Sequence, residues 1–535
     1  MSDELEARPE DFEELGLDPE LSEAAAYARK DFLFNSAKLL AAAAAAGPFF
    51  MAAKQAAAAE AASTSMAADP IATTAVNAAK KLNVGKLNKT NESGLQALDD
   101  KNFSGPLWKK LTGTEVGVTE APFPQLYSKA VSQHVAKSSA LDVFEVSPVW
   151  IPDLADRGVI IPINSLIRKY KAQATISDLH PLYRGLSTYK GQIWGFFDDG
   201  DVWCLYYRKD VFNNAALKRA YQAKFKRALR VPRTWDEFEE TAQFITDQMA
   251  PKVYGTGMGR ALGNPGNQFY FFQQFRANGG QLFDARTMKA QINNAAGIKT
   301  MNQILAQNKA SAPGVEKLSF VDGWVQWLNG KTAMMMAWPP TGRISENYAQ
   351  RDKAFSFVPK SKIVGKVGYA LVPQRNGEHA GAFLKVVSAD SKNKEAAYLF
   401  AQWATSPSVS LQRVQLPYTL RDPYRISHYK SRQFWKAWPA ARQYLQTLCE
   451  AANYSVLDPI MSGAADYANA LDRAMTAMYA GKSVKSGLDD AAKEWDRITQ
   501  KLGVAKQRKS YQDFLKLPGS SAANTVAKKG LAVKC

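Results

Sequence analysis

The stretch Gly191-Gln-Ile-Trp-Gly-Phe-Phe-Asp-Asp-Gly-Asp-Val-Trp-Cys-Leu-Tyr-Tyr-Arg-Lys-Asp-Val-Phe212 constrains this chain most. It sets three carboxylates, Asp198, Asp199 and Asp201, around Gly200 and follows them with an apolar run from Val202 to Tyr207. Acids this close do not make the polar face of one helix. Glycines at 191, 195 and 200 break helix and let backbone approach backbone. The reading is a strand, an acidic and aromatic loop, then a second strand that ends at the charged turn Arg208-Lys209-Asp210.

A chain of 535 residues must divide its core, since single cores stop growing near roughly 250–300 residues. The net charge of +18 raises nucleic acid or an anionic surface as partners. Its cations are spread, with no arginine-rich block interleaved with aromatics, so surface lysines that keep the protein dispersed are the better account. Cys204, Cys449 and Cys535 are scattered and form no CxxC, which leaves room for one disulfide and gives no zinc or thiol-redox motif. Cys204 reads as a small buried apolar residue. The histidines His134, His180, His379 and His428 are isolated, so neither a metal nor a cofactor is expected.

Residues 1–28 are acidic and read as a disordered extension. Arg29-Lys-Asp-Phe-Leu33, the apolar run from Leu39 and the small residues after Met51 make the layout of an export signal. The string resembles a twin-arginine signal in which Lys30 replaces the second arginine, with candidate cleavage points between 53 and 66. The apolar run, broken at Gly47-Pro48, is short of the roughly 20 residues of a membrane span. The competing reading is an alanine-rich helix that stays attached. Residues 60–82 read as a linker and the folded protein as starting near Leu82.

Glu115–Thr119, Phe123–Ser139 and Leu141–Val146 read as strand, helix and strand, the α/β pattern. Ligands of such sheets sit beyond the carboxyl ends of strands, which places Ser147 and Trp150 at a candidate site. Further on, Thr234 caps a helix whose first turn carries Asp236 and Glu237. A methionine-rich strand after Gly330 carries Trp338 at its tip, Ser391 or Asn393 caps a helix burying Ala396, Leu399, Phe400 and Trp403, and two amphipathic helices flank Gly481.

Five of these segments, in this order, resemble the family 1 extracellular solute-binding proteins of bacterial ABC importers, of the maltose-binding type. They are Gly191–Phe212 (with Phe197 where a proline is usual), Val231–Phe238, Phe320–Trp338, Ser388–Trp403 and Pro423–Ser427. The resemblance spans roughly 105–502. It implies an α/β fold of two lobes, the type II periplasmic-binding fold, each lobe a mixed sheet flanked by helices with a ligand cleft between them. The lobes would divide the chain as 105–206 and 381–425 for the first, 207–380 and 426–515 for the second. Residues 1–66 would be extension and signal, 67–104 linker and start of the mature chain, and 516–535 a loose basic tail.

The implied function is capture of a sugar or polyol and delivery to the permease subunits of the importer, by a periplasmic monomer that catalyses nothing. Aromatic faces stack on sugar rings and carboxylates accept from hydroxyls. The candidate ligand residues are therefore Trp150, Asp199, Asp201, Trp203, Trp338 and Arg425, with Gly381 letting backbone amides approach. Two other readings stand beside this one. Paired carboxylates also serve glycoside hydrolysis, although no second acid is identifiable. The charge and Arg425 also suit an anionic ligand or polyanion.

Overall fold

The computed structural model describes residues 68–535, apart from 264–266, 349–357, 380–381 and 417–418. The acidic extension and export signal lie outside the described residues, as does Gly381.

The strands in chain order are β1 (Lys86–Glu92), β2 (Glu115–Ala121), β3 (Val143–Val146), β4 (Thr188–Tyr189), β5 (Gln192–Ile193), β6 (Gly195–Phe197), β7 (Cys204–Arg208), β8 (Tyr254–Thr256), β9 (Thr332–Ala337), β10 (Val367–Ala370), β11 (Glu378–His379), β12 (Leu384–Val387) and β13 (Val456–Leu457). Of the sheets among the described residues, the two large ones have the orders β2-β1-β3-β12-β6 and β10-β7-β9-β8, and β11-β13 and β4-β5 form two-stranded pairs. β1 pairs in parallel with β2 and β3, while β12 lies antiparallel between β3 and β6. In the second sheet β7 is antiparallel to β9 and β10, and β8 is parallel to β9. Each sheet is the centre of one lobe of a two-lobed α/β fold.

The chain passes between the sheets three times. It runs from β6 to β7 through 198–203 and from β10 to β12 through 371–383. It returns after the helix Pro407–Arg413 to reach the helix Ala441–Tyr454, which packs on β7 and β10. The strand, acidic loop and second strand expected over 191–212 are β6, the first passage and β7. β9 buries all six of its residues, so its apolar run needs no alternation. Thr234 Oγ1 accepts from the Glu237 amide at 3.1 Å and starts the helix Trp235–Met249, whose buried face carries Trp235, Phe238, Ala242 and Ile245.

Two stretches differ from expectation. The alanine-rich segment read as a linker forms the helix Pro70–Leu82, capped by Asp69, whose Oδ1 accepts from the Ile71 and Ala72 amides. Its small residues Ala72, Ala75 and Ala79 are the contact face, and they let it lie close against the helix Lys394–Ala404. The last twenty residues are not loose. Cys535 is joined to Cys449 by a disulfide, Val526 is buried, and Asn453 holds both the amide and the carbonyl of Val533. Cys204 is buried and unpaired, as expected. Among the described residues no helix is long and apolar enough to cross a membrane.

Candidate functional site

The passage from β6 to β7 sorts its acids by position. Asp198 turns into the first lobe and meets Lys385 Nζ at 2.9 Å, Arg421 Nη1 at 2.9 Å and Arg413. Burial alone would raise its pKa, but Arg413, Arg421 and Lys385 together hold it well below the usual carboxylate range. Asp199 instead accepts from Gln96 Nε2 at 2.7 Å and from the amide of Asp422 at 2.7 Å. Gly200 lies so close to the other passing segment that a Cβ there would stand 2.3 Å from the Pro423 carbonyl oxygen, so the turn has no room for a side chain.

Asp199, Asp201 and Asp422 are all buried, and each offers an oxygen within 4.8 Å of the others. Arg343 Nη2, on the short helix Pro340–Ser345 that follows β9, reaches Asp422 Oδ1 at 2.7 Å and ties the second lobe to this group. Burial raises Asp199 to about 7 against the pull of Arg421. Burial, then Asp199 and Asp422, push Asp201 well above the carboxylate range; burial also raises Asp422 against Arg343. Glu92, at the end of β1, is raised to about 8 by burial and by Glu145 and Asp199. Carboxyls that keep protons near neutrality both donate and accept, which suits hydroxyl groups. The trio is also the one set of described His, Cys, Asp and Glu residues whose spacing admits a metal ion, but the arginine on Asp422 and the retained protons favour hydroxyls over a cation.

Two residues past Asp201 stands an aromatic wall. Trp203 is fully buried, its ring 5.1 Å from Trp338, 4.6 Å from Tyr270 and 6.1 Å from Phe269. Trp338, half-buried at the end of β9, also meets Phe320 edge-on at 4.5 Å. Trp203 Nε1 has no hydrogen-bond partner among the described residues. The acidic turn and the aromatic wall thus stand together where the chain passes between the two sheets.

Residues 86–410 match the family model of the bacterial extracellular solute-binding protein. The chain belongs to this family. It is 24% identical to a probable amino-acid ABC transporter periplasmic-binding protein of Sinorhizobium fredii, over 61% of this chain and 70% of that one. It is 23% identical to the mannitol-binding protein of Pseudomonas aeruginosa, over 57% and 65%. Among solved structures, the fold is shared with maltose-bound MalE3 of T. maritima (TM-score 0.62, 20% identity, 77% of this chain and 99% of that one). It is shared equally with an ABC transporter solute-binding protein of Agrobacterium vitis carrying D-mannitol (0.62, 22%, 78% and 99%).

Of the residues singled out in the sequence, the fold joins Asp199 to Asp201 and Trp203 to Trp338. Trp150 lies on the turn after β3, as expected, with its ring 5.1 Å from Phe123 and 5.8 Å from Tyr127. That turn packs on the helix Ala464–Tyr479, one of the pair closing the second lobe. Arg425 differs from expectation. It is fully buried, donating from Nη1 to Thr175 O at 2.7 Å, from Nη2 to Thr405 O and from Nε to Ser410 Oγ at 3.1 Å. Its guanidinium clamps loops of the first lobe. Asp422, Arg343 and Gln96 were not singled out, although Asp422 lies three residues before Arg425 in the same loop. The open groove lined by Asp236, Glu239 and Lys299 lies on helices of the second lobe and shares no residue with this site.

Proposed function

We propose that this chain captures a sugar or polyol between its lobes and delivers it to the permease subunits of an ABC importer. The observation that carries the reading is the carboxyl trio Asp199, Asp201 and Asp422 placed on the passages between the sheets, two residues from the Trp203 and Trp338 wall. The ligand residues are Asp199, Asp201, Asp422, Trp203 and Trp338, with Trp150 at the rim. Their chemistry, hydroxyl-binding carboxyls beside apolar faces, suits a polyhydroxylated solute, as do the mannitol-binding relative and the maltose- and mannitol-bound structures of this fold. The protein works as an exported periplasmic monomer, sent out by its twin-arginine-like signal, and releases its solute unchanged.

Calorimetry and thermal denaturation against sugars, polyols and amino acids test this. A ligand at 100 times its Kd adds about 2.7 kcal/mol of stability. One sugar or polyol should give such a shift, without turnover and with little salt dependence. Trp338→Ala should weaken binding about tenfold, the loss of about 1.4 kcal/mol of stacking, and leave a folded protein. Unchanged affinity takes Trp338 out of the site, and a response to amino acids alone overturns the sugar reading.

A further inference from the structure

Arg260 is a buried cation with no acidic partner among the described residues. It is 1% exposed, and its Nε and Nη2 donate only to neutral side chains, Asn308 Oδ1 at 3.1 Å and Gln307 Oε1 at 3.3 Å. Its Nη1 has no hydrogen-bond partner among the described residues. Arg343, Arg413 and Arg421 are as deeply buried, yet each has a carboxylate: Asp422, Asp198 and Glu145 respectively. A buried charge left uncompensated is strongly unfavourable, and the guanidinium fork fits carboxylate or phosphate oxygens better than any neutral group.

The position of Arg260 is as telling as its charge. It leaves the C-terminal end of β8 through Gly257-Met258-Gly259, while Trp338 leaves the C-terminal end of the parallel neighbour β9. In sheets of this kind ligands bind beyond those ends. The guanidinium carbon lies 3.9 Å from the centre of the Tyr270 ring, which stands 4.6 Å from Trp203. The preceding residue, Gly259, lies so close to the backbone of Ser319 and Phe320 that it has no room for a side chain, and the Phe320 ring touches Trp338. Arg260 is thus built into the aromatic wall, with one nitrogen unused.

We infer that Arg260 receives an anionic group of the solute, the carboxylate of a sugar acid or the phosphate of a sugar phosphate, while the hydroxyls face Asp199, Asp201 and Asp422. The inference rests on the solute-binding reading above and narrows the solute to an acidic one. Two matched pairs of probes test it by titration calorimetry: D-sorbitol with D-gluconate, which share a carbon skeleton and differ in charge at C1, and D-glucose with glucose 6-phosphate. One acidic member should bind at least tenfold tighter than its neutral partner, and the pair in which this occurs tells carboxylate from phosphate. Arg260→Gln should bring that preference within twofold. Should circular dichroism show that variant unfolded, Arg260→Lys, which keeps the charge and loses the fork, should reduce the preference at least threefold. Neutral members bound as tightly as acidic ones, or a preference that survives both variants, overturns the inference and leaves the sugar reading intact. Failure of all four probes, with binding of another solute class, overturns both.

Discussion

Asp198 and Asp199 are neighbours in sequence and opposites in environment. Asp198 belongs to a lattice inside the first lobe, where Asp99, Asp100, Glu145 and Asp198 alternate with Lys89, Lys385, Arg413 and Arg421, all buried. Four acids face four bases there. Asp199 belongs to the group on the passages, where three carboxyls share Arg343 and the fringe of Arg421. In the lattice the bases overcome the cost of burial and keep Asp100 and Asp198 ionised; on the passages they do not, and protons stay on. A saturated network fixes a lobe, while a group with fewer bases than acids is the one the proposed function assigns to the solute.

That contrast is open to attack from both sides. The largest effect should come from the lattice: Arg421→Met strands Glu145, takes one of three cations from Asp198 and should cost about 3–5 kcal/mol, the usual result of removing one partner of a buried ion pair. Denaturant unfolding measures it, and a loss below about 1 kcal/mol would mean that the lattice is not what holds the first lobe. Asp201→Asn should do the reverse. Burial, Asp199 and Asp422 push its pKa well above the carboxylate range, so removing its charge should change stability by less than about 1 kcal/mol, while solute affinity falls about tenfold for one lost hydrogen bond of about 1.4 kcal/mol.

A further test is a slope with pH. Asp199 keeps its proton to about 7 in the folded protein and only to about 4 when unfolded, so the folded form binds more protons between those values. Stability must therefore fall as pH rises through that window, by at most about 1.4 kcal/mol per pH unit from this group. Asp199→Asn should flatten the fall measured between pH 5 and pH 7. An unchanged slope would assign the effect to other carboxyls. Asp100 and Asp198 in the lattice, held low by their bases, give stability that is lost only on strong acidification, so the two regions separate by the pH at which each acts.

Much of the two-lobed frame was legible. The passage at 198–203 was readable because glycines and acids interrupt apolar strands on both sides, and β9 because its apolar run ends at a glycine. β1 was not, for a physical reason: Lys-Leu-Asn-Lys-Thr-Asn-Glu looks like a surface loop, yet Lys89 and Asn91 are buried because Asp100 and Glu145 reach them from elsewhere. The helix Pro70–Leu82 was hidden similarly, since alanine serves a linker and a close helix contact alike.

The candidate site divides along the same line. Asp199, Asp201, Trp203 and Trp338 stand in local patterns whose spacing already sets them at strand ends. Asp422, on a loop, and Arg343, on a short helix, lie far along the chain and join the first two only when the passages lie side by side. Arg425 and Arg260 carry the same side chain, and no local pattern tells that one is spent on the carbonyls of Thr175 and Thr405 while the other has a nitrogen with no hydrogen-bond partner among the described residues. By itself the sequence determined the strands, the turns and the supply of acids and rings, because these depend on backbone freedom and polarity over a few residues. Only the tertiary structure decided which acid keeps its proton and which arginine lacks a counter-charge, because those depend on every group that folding brings within a few ångströms.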